Sequence, residues 1–240
     1  MTARLMLTCL CDALYGEVGV ATVRVLEHCG VRVEFDERQT CCGQPAFNAG
    51  DWKAAGPVAE RCRQLFAPTT SKDAVYLVTP SGSCAAMCRH GYPMLGLEPL
   101  PMMELSEFLI DVLRLERWPL RGNRVARRRQ VALHRSCHGR MLGLADQQEQ
   151  LLRLVPGLDL APLEQEEQCC GFGGAFSVTH GKISSGIGVE KLRNLLNSCA
   201  EAVVSGDMGC LIHLDGLIRR HGLNLKTLHI SQVLAEALDS

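Results

Sequence analysis

Aromatic residues are scarce, at 5% of the 240-residue chain. No apolar run reaches the roughly 18 residues that a membrane-spanning helix requires. Neither sign of charge dominates: 25 Lys and Arg face 26 Asp and Glu, for a formal net charge of −1. Such a balance gives no electrostatic reason to expect nucleic acid or an anionic membrane as partner. The start, "MTARLMLTC", is apolar too briefly for a signal peptide and leads to no small-residue cleavage site, so a cytoplasmic protein is expected. No G-x-G-x-x-G fingerprint is present, "GFGGAF" having the wrong spacing, and this argues against nucleotide binding. Also missing is any Cys-x-x-Cys, which removes the usual zinc knuckle and the ferredoxin spacing.

Cysteine itself is abundant. Thirteen is a high and odd number, and in a reducing compartment it points to metal or redox chemistry, not to a disulfide framework. Two vicinal pairs stand out, Cys41-Cys42-Gly43 and Cys169-Cys170-Gly171, the second 128 residues after the first. The same offset carries Cys9 onto Cys137, and an offset of 126 carries Cys84 in "SGSC" onto Cys210 in "DMGC". The segment "MELSEFLIDVL" from Met103 answers "LHISQVLAEAL" from Leu228. The chain is therefore an internal repeat. We expect repeats at residues 1–120 and 128–240 joined by a linker at 121–127. The basic run Arg124–Arg129 reads as a solvated face of that connection, with a docking patch for an acidic partner as the alternative.

In each half short apolar runs of strand character alternate with helix-spaced segments. "RLMLTC", "VRVEFDE" and "AVYLVTPSGSC" answer "QVALHRSC", "LDLAPLEQ" and "EAVVSGDMGC". Such alternation predicts an α/β fold of two tandem, pseudo-symmetric, Rossmann-like lobes with mainly parallel sheets. Ligands of such sheets sit beyond the carboxyl ends of the strands, where every repeated cysteine falls. Four sulfurs per half would thus gather on one rim.

Cysteines outside the repeat provide a control. Cys29, Cys62 and Cys199 read as small buried hydrophobes; Cys11 and Cys88 lie close enough to the rim to stay candidate ligands. For the eight repeated cysteines a packing role explains little, and neighbouring residues make a poor disulfide. Converging thiolates need a cation. Adjacent thiolates share one tetrahedral ion badly but suit separate irons of a multinuclear cluster, and thiolate is an iron–sulfur ligand. Zinc stays open as the alternative. Gly43, Gly171, Gly173 and Gly174 would let backbone approach the inorganic core and donate N–H groups to it. In "HRSCHGR" the residues His134, Arg135, His138 and Arg140 are candidates for holding a substrate carboxylate or tuning a cluster. Ser81 and Ser83 are candidate donors to sulfide.

The motifs "TCLCDAL", "QTCCGQPAFNAG", "PSGSCAAM", "CCGFGGAFSV" and "GCLIHLDG" span nearly the whole chain and resemble the cysteine-rich (CCG) domain family. That family includes a heterodisulfide reductase component and the glycolate oxidase iron–sulfur subunit; the strongest resemblance is to its lactate-utilisation branch. The ferredoxin-type domain of larger members has no counterpart here. The resemblance implies a cytoplasmic electron-transfer component of a system oxidising L-lactate, a 2-hydroxy acid, to pyruvate. Its implied partners are a ferredoxin-like iron–sulfur protein and a third subunit. It also implies two 4Fe-4S-type clusters, of noncubane form in the reductase. One would be held by Cys9, Cys41, Cys42 and Cys84, the other by Cys137, Cys169, Cys170 and Cys210. The reductase's fifth cysteine is replaced here by Met87 and His213, of which His213 is the better ligand. A heterodisulfide- or thiol-reductase subunit and a zinc-stabilised scaffold remain alternative readings.

Overall fold

The computed structural model describes residues 1–67, 74–118, 128–144 and 146–238. Among the described residues eight strands form two sheets: β1 (Thr2–Leu5), β2 (Arg32–Phe35), β3 (Val75–Thr79) and β4 (Met102–Glu104), then β5 (Arg129–Leu133), β6 (Leu158–Leu160), β7 (Ala202–Ser205) and β8 (Lys226–His229). The sheet orders, β2-β1-β3-β4 and β6-β5-β7-β8, are the same topology drawn twice. Every pairing is parallel, so the fold is α/β with two Rossmann-like lobes, as the alternating pattern predicts. Each half keeps its own sheet. We retain the division at 1–120 and 128–240 as a proposal; the linker at 121–127 lies outside the described residues. Of the basic run, Arg128 and Arg129 are described, and Arg129 pairs with Glu236 at 3.0 Å.

The helices fall where the apolar periodicity places them, at Gly16–His28, Trp52–Leu65, Gln147–Arg153 and Gly181–Asn197. Pro57 interrupts none of this: it lies in the second turn of Trp52–Leu65, and Asp51 caps that helix through the Ala54 N–H. Both strands and helices bury one contiguous cluster at the joint between lobes. Leu105, Phe108 and Leu109 of the first half meet Leu151, Leu152, Ile230 and Leu234 of the second. Each such side chain contributes about 1.5–3 kcal/mol on leaving water. The lobes are therefore cemented along an apolar seam, and their strand ends are held in a fixed relation. Among the described residues no helix is long and apolar enough to cross a membrane.

Candidate metal centre

The loops that leave β1, β3, β5 and β7 turn directly into helices, and each helix carries one repeated cysteine in its first turn. Cys9 opens Cys9–Leu14, Cys84 lies in Gly82–Ala86, Cys137 opens Cys137–Met141 and Cys210 lies in Met208–Arg220. The residue before each helix is a side-chain cap: Thr8, Ser81, Ser136 and Asp207 accept from the N–H groups of Cys11, Cys84, Gly139 and Gly209. These caps fix where the thiols point. The vicinal pairs arrive on the loops after β2 and β6.

All eight repeated cysteines line one cavity of about 370 Å³ between the lobes. In the first lobe they meet two by two, Cys9 Sγ lying 3.6 Å from Cys41 Sγ and Cys42 Sγ 3.5 Å from Cys84 Sγ. These separations are contacts, not bonds, and every cysteine is a free thiol. Backbone amides serve the sulfurs as well: Gly43 N–H donates to Cys41 Sγ at 3.4 Å and Gly171 N–H to Cys169 Sγ at 3.3 Å.

The glycines after the pairs have a specific task. Gly43 and Gly171 take φ of 92° and 90°, a left-handed backbone that favours glycine. A Cβ on Gly171 would fall 2.4 Å from the Ser184 carbonyl oxygen, and one on Gly43 would fall 3.2 Å from that of Ala55. Each pair thus rests directly on the following long helix. Gly173 and Gly174 line the cavity itself.

The electrostatics are those of crowded thiols, most of which hold their protons. Hydrogen bonds from Cys42 and Cys9, aided by backbone N–H groups, hold the Cys41 thiol down at about 3. Cys9 and Cys42 are pushed up because each shares its proton with Cys41, with burial adding to the effect. In the second lobe, hydrogen bonding with Cys170 and then burial push Cys169 up, while burial raises Cys137. Burial likewise pushes Cys11 up to about 12 and Cys29 to about 11; of the cysteines read as buried packing residues, Cys62 is buried, Cys29 half-buried and Cys199 exposed at a turn after its helix. A cation at the cavity would release the protons that the quartets hold. This donor set fits a soft, thiolate-bound metal.

Most candidates beside the quartets are placed elsewhere or already engaged. Cys11 packs in the core of the second lobe and Cys88 in that of the first, close to Cys62; neither lines the cavity. The sulfur of Met87 is turned onto Gly91, where a Cβ would meet it at 2.4 Å. His213 Nε2 is engaged by Ser184, 3.4 Å from both its Oγ and its carbonyl oxygen, and does not line the cavity. Arg135 pairs with Glu149 and Glu166, and Arg140 with Glu167, so both arginines already have carboxylates. Ser81 and Ser83 do line the cavity, but the Ser81 hydroxyl caps Cys84 and the Ser83 N–H crosses to Asp207 Oδ2 at 2.7 Å.

One feature escapes a reading of sequence alone, and two named histidine candidates are placed at the quartets. Buried Asp207 ties the two lobes together, a role foreshadowed only by its matching Ser81 in the repeat. His138 faces the cavity, with Nε2 3.2 Å from Gln44 Nε2 of the other lobe and Nδ1 3.7 Å from Cys137 Sγ. His134 is buried with Cys170 and Cys210, the three donor atoms all lying within 4.8 Å of one another.

Comparison with known proteins agrees with this architecture. The cysteine-rich domain family CCG matches residues 4–89 and again 131–215, one match for each lobe. Lactate utilization protein A of Geobacillus kaustophilus (strain HTA426) is 42% identical over 247 residues, covering 98% of each chain. The protein of that name from Geobacillus thermodenitrificans (strain NG80-2) is 40% identical over 98% of each chain. Lactate utilization protein A 2 of Bacillus cereus (strain Q1) is 36% identical over 99% of each. The crystal structure of a hypothetical protein from Helicobacter pylori shares the fold over the whole chain, with a TM-score of 0.56 and 10% identity. This chain spans 49% of that structure's length. Matched along its full length and in both repeats, the chain belongs to the cysteine-rich CCG domain family, among its lactate utilization protein A members.

Proposed function

We propose that this chain is the iron–sulfur electron-transfer component of an L-lactate-oxidising complex. The observation that carries the reading is the convergence of both cysteine quartets on one cavity between lobes. Cys9, Cys41, Cys42 and Cys84 would hold one 4Fe-4S-type cluster, and Cys137, Cys169, Cys170 and Cys210 a second. Bound there, the clusters supply one-electron redox chemistry to a two-electron reaction. Lactate loses two electrons and two protons to become pyruvate. A ferredoxin-like iron–sulfur partner is the proposed electron acceptor, and a third subunit completes the system.

The chain's own residues prepare the site for this work. Amide donors from Gly43 and Gly171 stabilise negative sulfur in place. The seam of Ser83 with Asp207 and of Gln44 with His138 fixes one lobe's thiols relative to the other's. His138 is an imidazole at the cavity wall, held between Gln44 of one lobe and Cys137 of the other. Full-length similarity to proteins named for lactate utilization supports the choice of substrate.

The test is an anaerobic preparation with its partner proteins, supplied in turn with lactate and with an organic disulfide. Lactate-dependent reduction seen by electron paramagnetic resonance, with pyruvate formed, is the expected result. Turnover of the disulfide alone would make the chain a thiol-reductase subunit, and stoichiometric zinc with no iron would make it a scaffold; either overturns the proposal.

A further inference from the structure

His134 is buried beside the second quartet with its ring unsatisfied. It follows β5 immediately, and its main chain is pinned: its N–H donates to Val204 O at 2.8 Å, and its carbonyl accepts from Ser205 Oγ at 3.1 Å. The side chain is 1% exposed. Among the described residues, neither Nδ1 nor Nε2 has a hydrogen-bond partner. A neutral imidazole carries one donor and one acceptor, and leaving both unsatisfied in the interior is costly. Packing alone does not explain this, because a leucine would fill such a space without that penalty.

The surroundings are those of a metal site. Cys170 and Cys210 are both buried, and the sulfur atoms lie within 4.8 Å of the imidazole donor atom and of each other. Two thiolates and one imidazole converging on a point is a common metal donor set. The repeat adds an independent contrast. Counting back 128 residues from His134 gives Met6, fully buried in the first lobe's core, so the first lobe carries no imidazole there. His213, by contrast, is already hydrogen-bonded to Ser184.

We propose that His134 is a nitrogen ligand to the metal centre of the second lobe, bound alongside Cys170 and Cys210. The inference rests on the metal-centre reading of the quartets and assigns the two lobes different donor sets. A neutral nitrogen at this position leaves the centre less negative than a thiolate placed there would, so exchanging it for cysteine lowers the potential of the second lobe's centre.

The experiment uses anaerobically purified full-length protein labelled with 15N-histidine, reduced with dithionite and examined by pulsed electron paramagnetic resonance. A directly bonded histidine nitrogen is expected, lost in His134→Leu and kept in His213→Gln. His134→Cys should keep its iron while lowering the potential of one centre only. If iron-loaded wild-type protein shows no bonded histidine nitrogen, or if the coupling survives His134→Leu, the inference fails and the cluster reading stands. If the protein carries zinc instead, the functional proposal fails. X-ray absorption at the zinc edge then decides the ligand question: a mixed sulfur–nitrogen shell supports His134, and a purely sulfur shell overturns it. Protein that holds no metal at all overturns both.

Discussion

Glu104 and His229 occupy equivalent places in the two lobes and are buried there as mirror parts of one joint. Each is the last residue of its half's final strand and the cap of the helix that follows. Glu104 Oε2 accepts from the Ser106 N–H at 2.8 Å, while His229 Nδ1 accepts from the Ser231 N–H at 3.1 Å. Each then reaches toward the opposite lobe. His229 Nε2 donates to Pro80 O at 3.1 Å, and Glu104 lies so close to Gly206 that a Cβ there would be 2.8 Å from Oε1.

From this joint follows a pH dependence with two limbs. Burial pushes His229 down to about 4 from an ordinary 6.5, so its contribution is intact above 6.5 and is lost as pH falls through 4. Burial pushes Glu104 up to about 8 from 4.5, so its contribution is intact below 4.5 and is lost as pH rises through 8. Each limb amounts to a few kcal/mol at most, about 1.4 kcal/mol per pH unit over the window. Denaturant titrations at acid, neutral and alkaline pH should show Glu104→Gln flattening the alkaline limb and His229→Gln the acid one. A full alkaline limb in Glu104→Gln would show that another group controls it.

The two pair glycines should not be equally tolerant. Gly171→Ala must move the Ser184 carbonyl, 2.4 Å from the new carbon, and also strains a left-handed backbone. Gly43→Ala meets its nearest neighbour at 3.2 Å. We predict a loss of about 1–3 kcal/mol at Gly43 and a larger one at Gly171, with metal loss from the second lobe first. Melting curves and metal content of the two variants provide the comparison, and equal damage would contradict it.

Cys42→Ser and Cys170→Ser should each cost the protein iron. Cys62→Ser should keep the iron while losing stability, since Cys62 is 1% exposed and a buried hydroxyl costs about 1–3 kcal/mol without a partner. Iron and acid-labile sulfide assays on anaerobic variants separate the cases. Iron loss in Cys62→Ser equal to that of the paired positions would remove the reason for treating the repeated cysteines as a set.

Much of this molecule is readable from its repeat. The strand-helix alternation is local and strong, and matched spacing shows that Cys9 with Cys137, and Cys84 with Cys210, occupy corresponding positions. That both quartets would share one cavity is not readable, because it depends on how the seam of Leu105, Phe108 and Ile230 turns one sheet toward the other. The side-chain neighbours of histidines are equally hidden. His213 matches a ligand position by alignment yet sits against Ser184, whereas His134, three residues before Cys137, points at two buried sulfurs. Rotamer and packing decide between them, and neither is written in residue spacing. The arginines of "HRSCHGR" fail as free carboxylate anchors for a similar reason: Glu149, Glu166 and Glu167 come from distant positions to meet them.

The most direct measurement is the iron and sulfide content of oxygen-free, full-length protein, taken together with its visible spectrum. The account predicts a coloured protein with about eight irons per chain on the two-cluster reading, falling by about half in either Cys42→Ser or Cys170→Ser. Colourless, iron-poor protein that still supports lactate oxidation with its partners would contradict it.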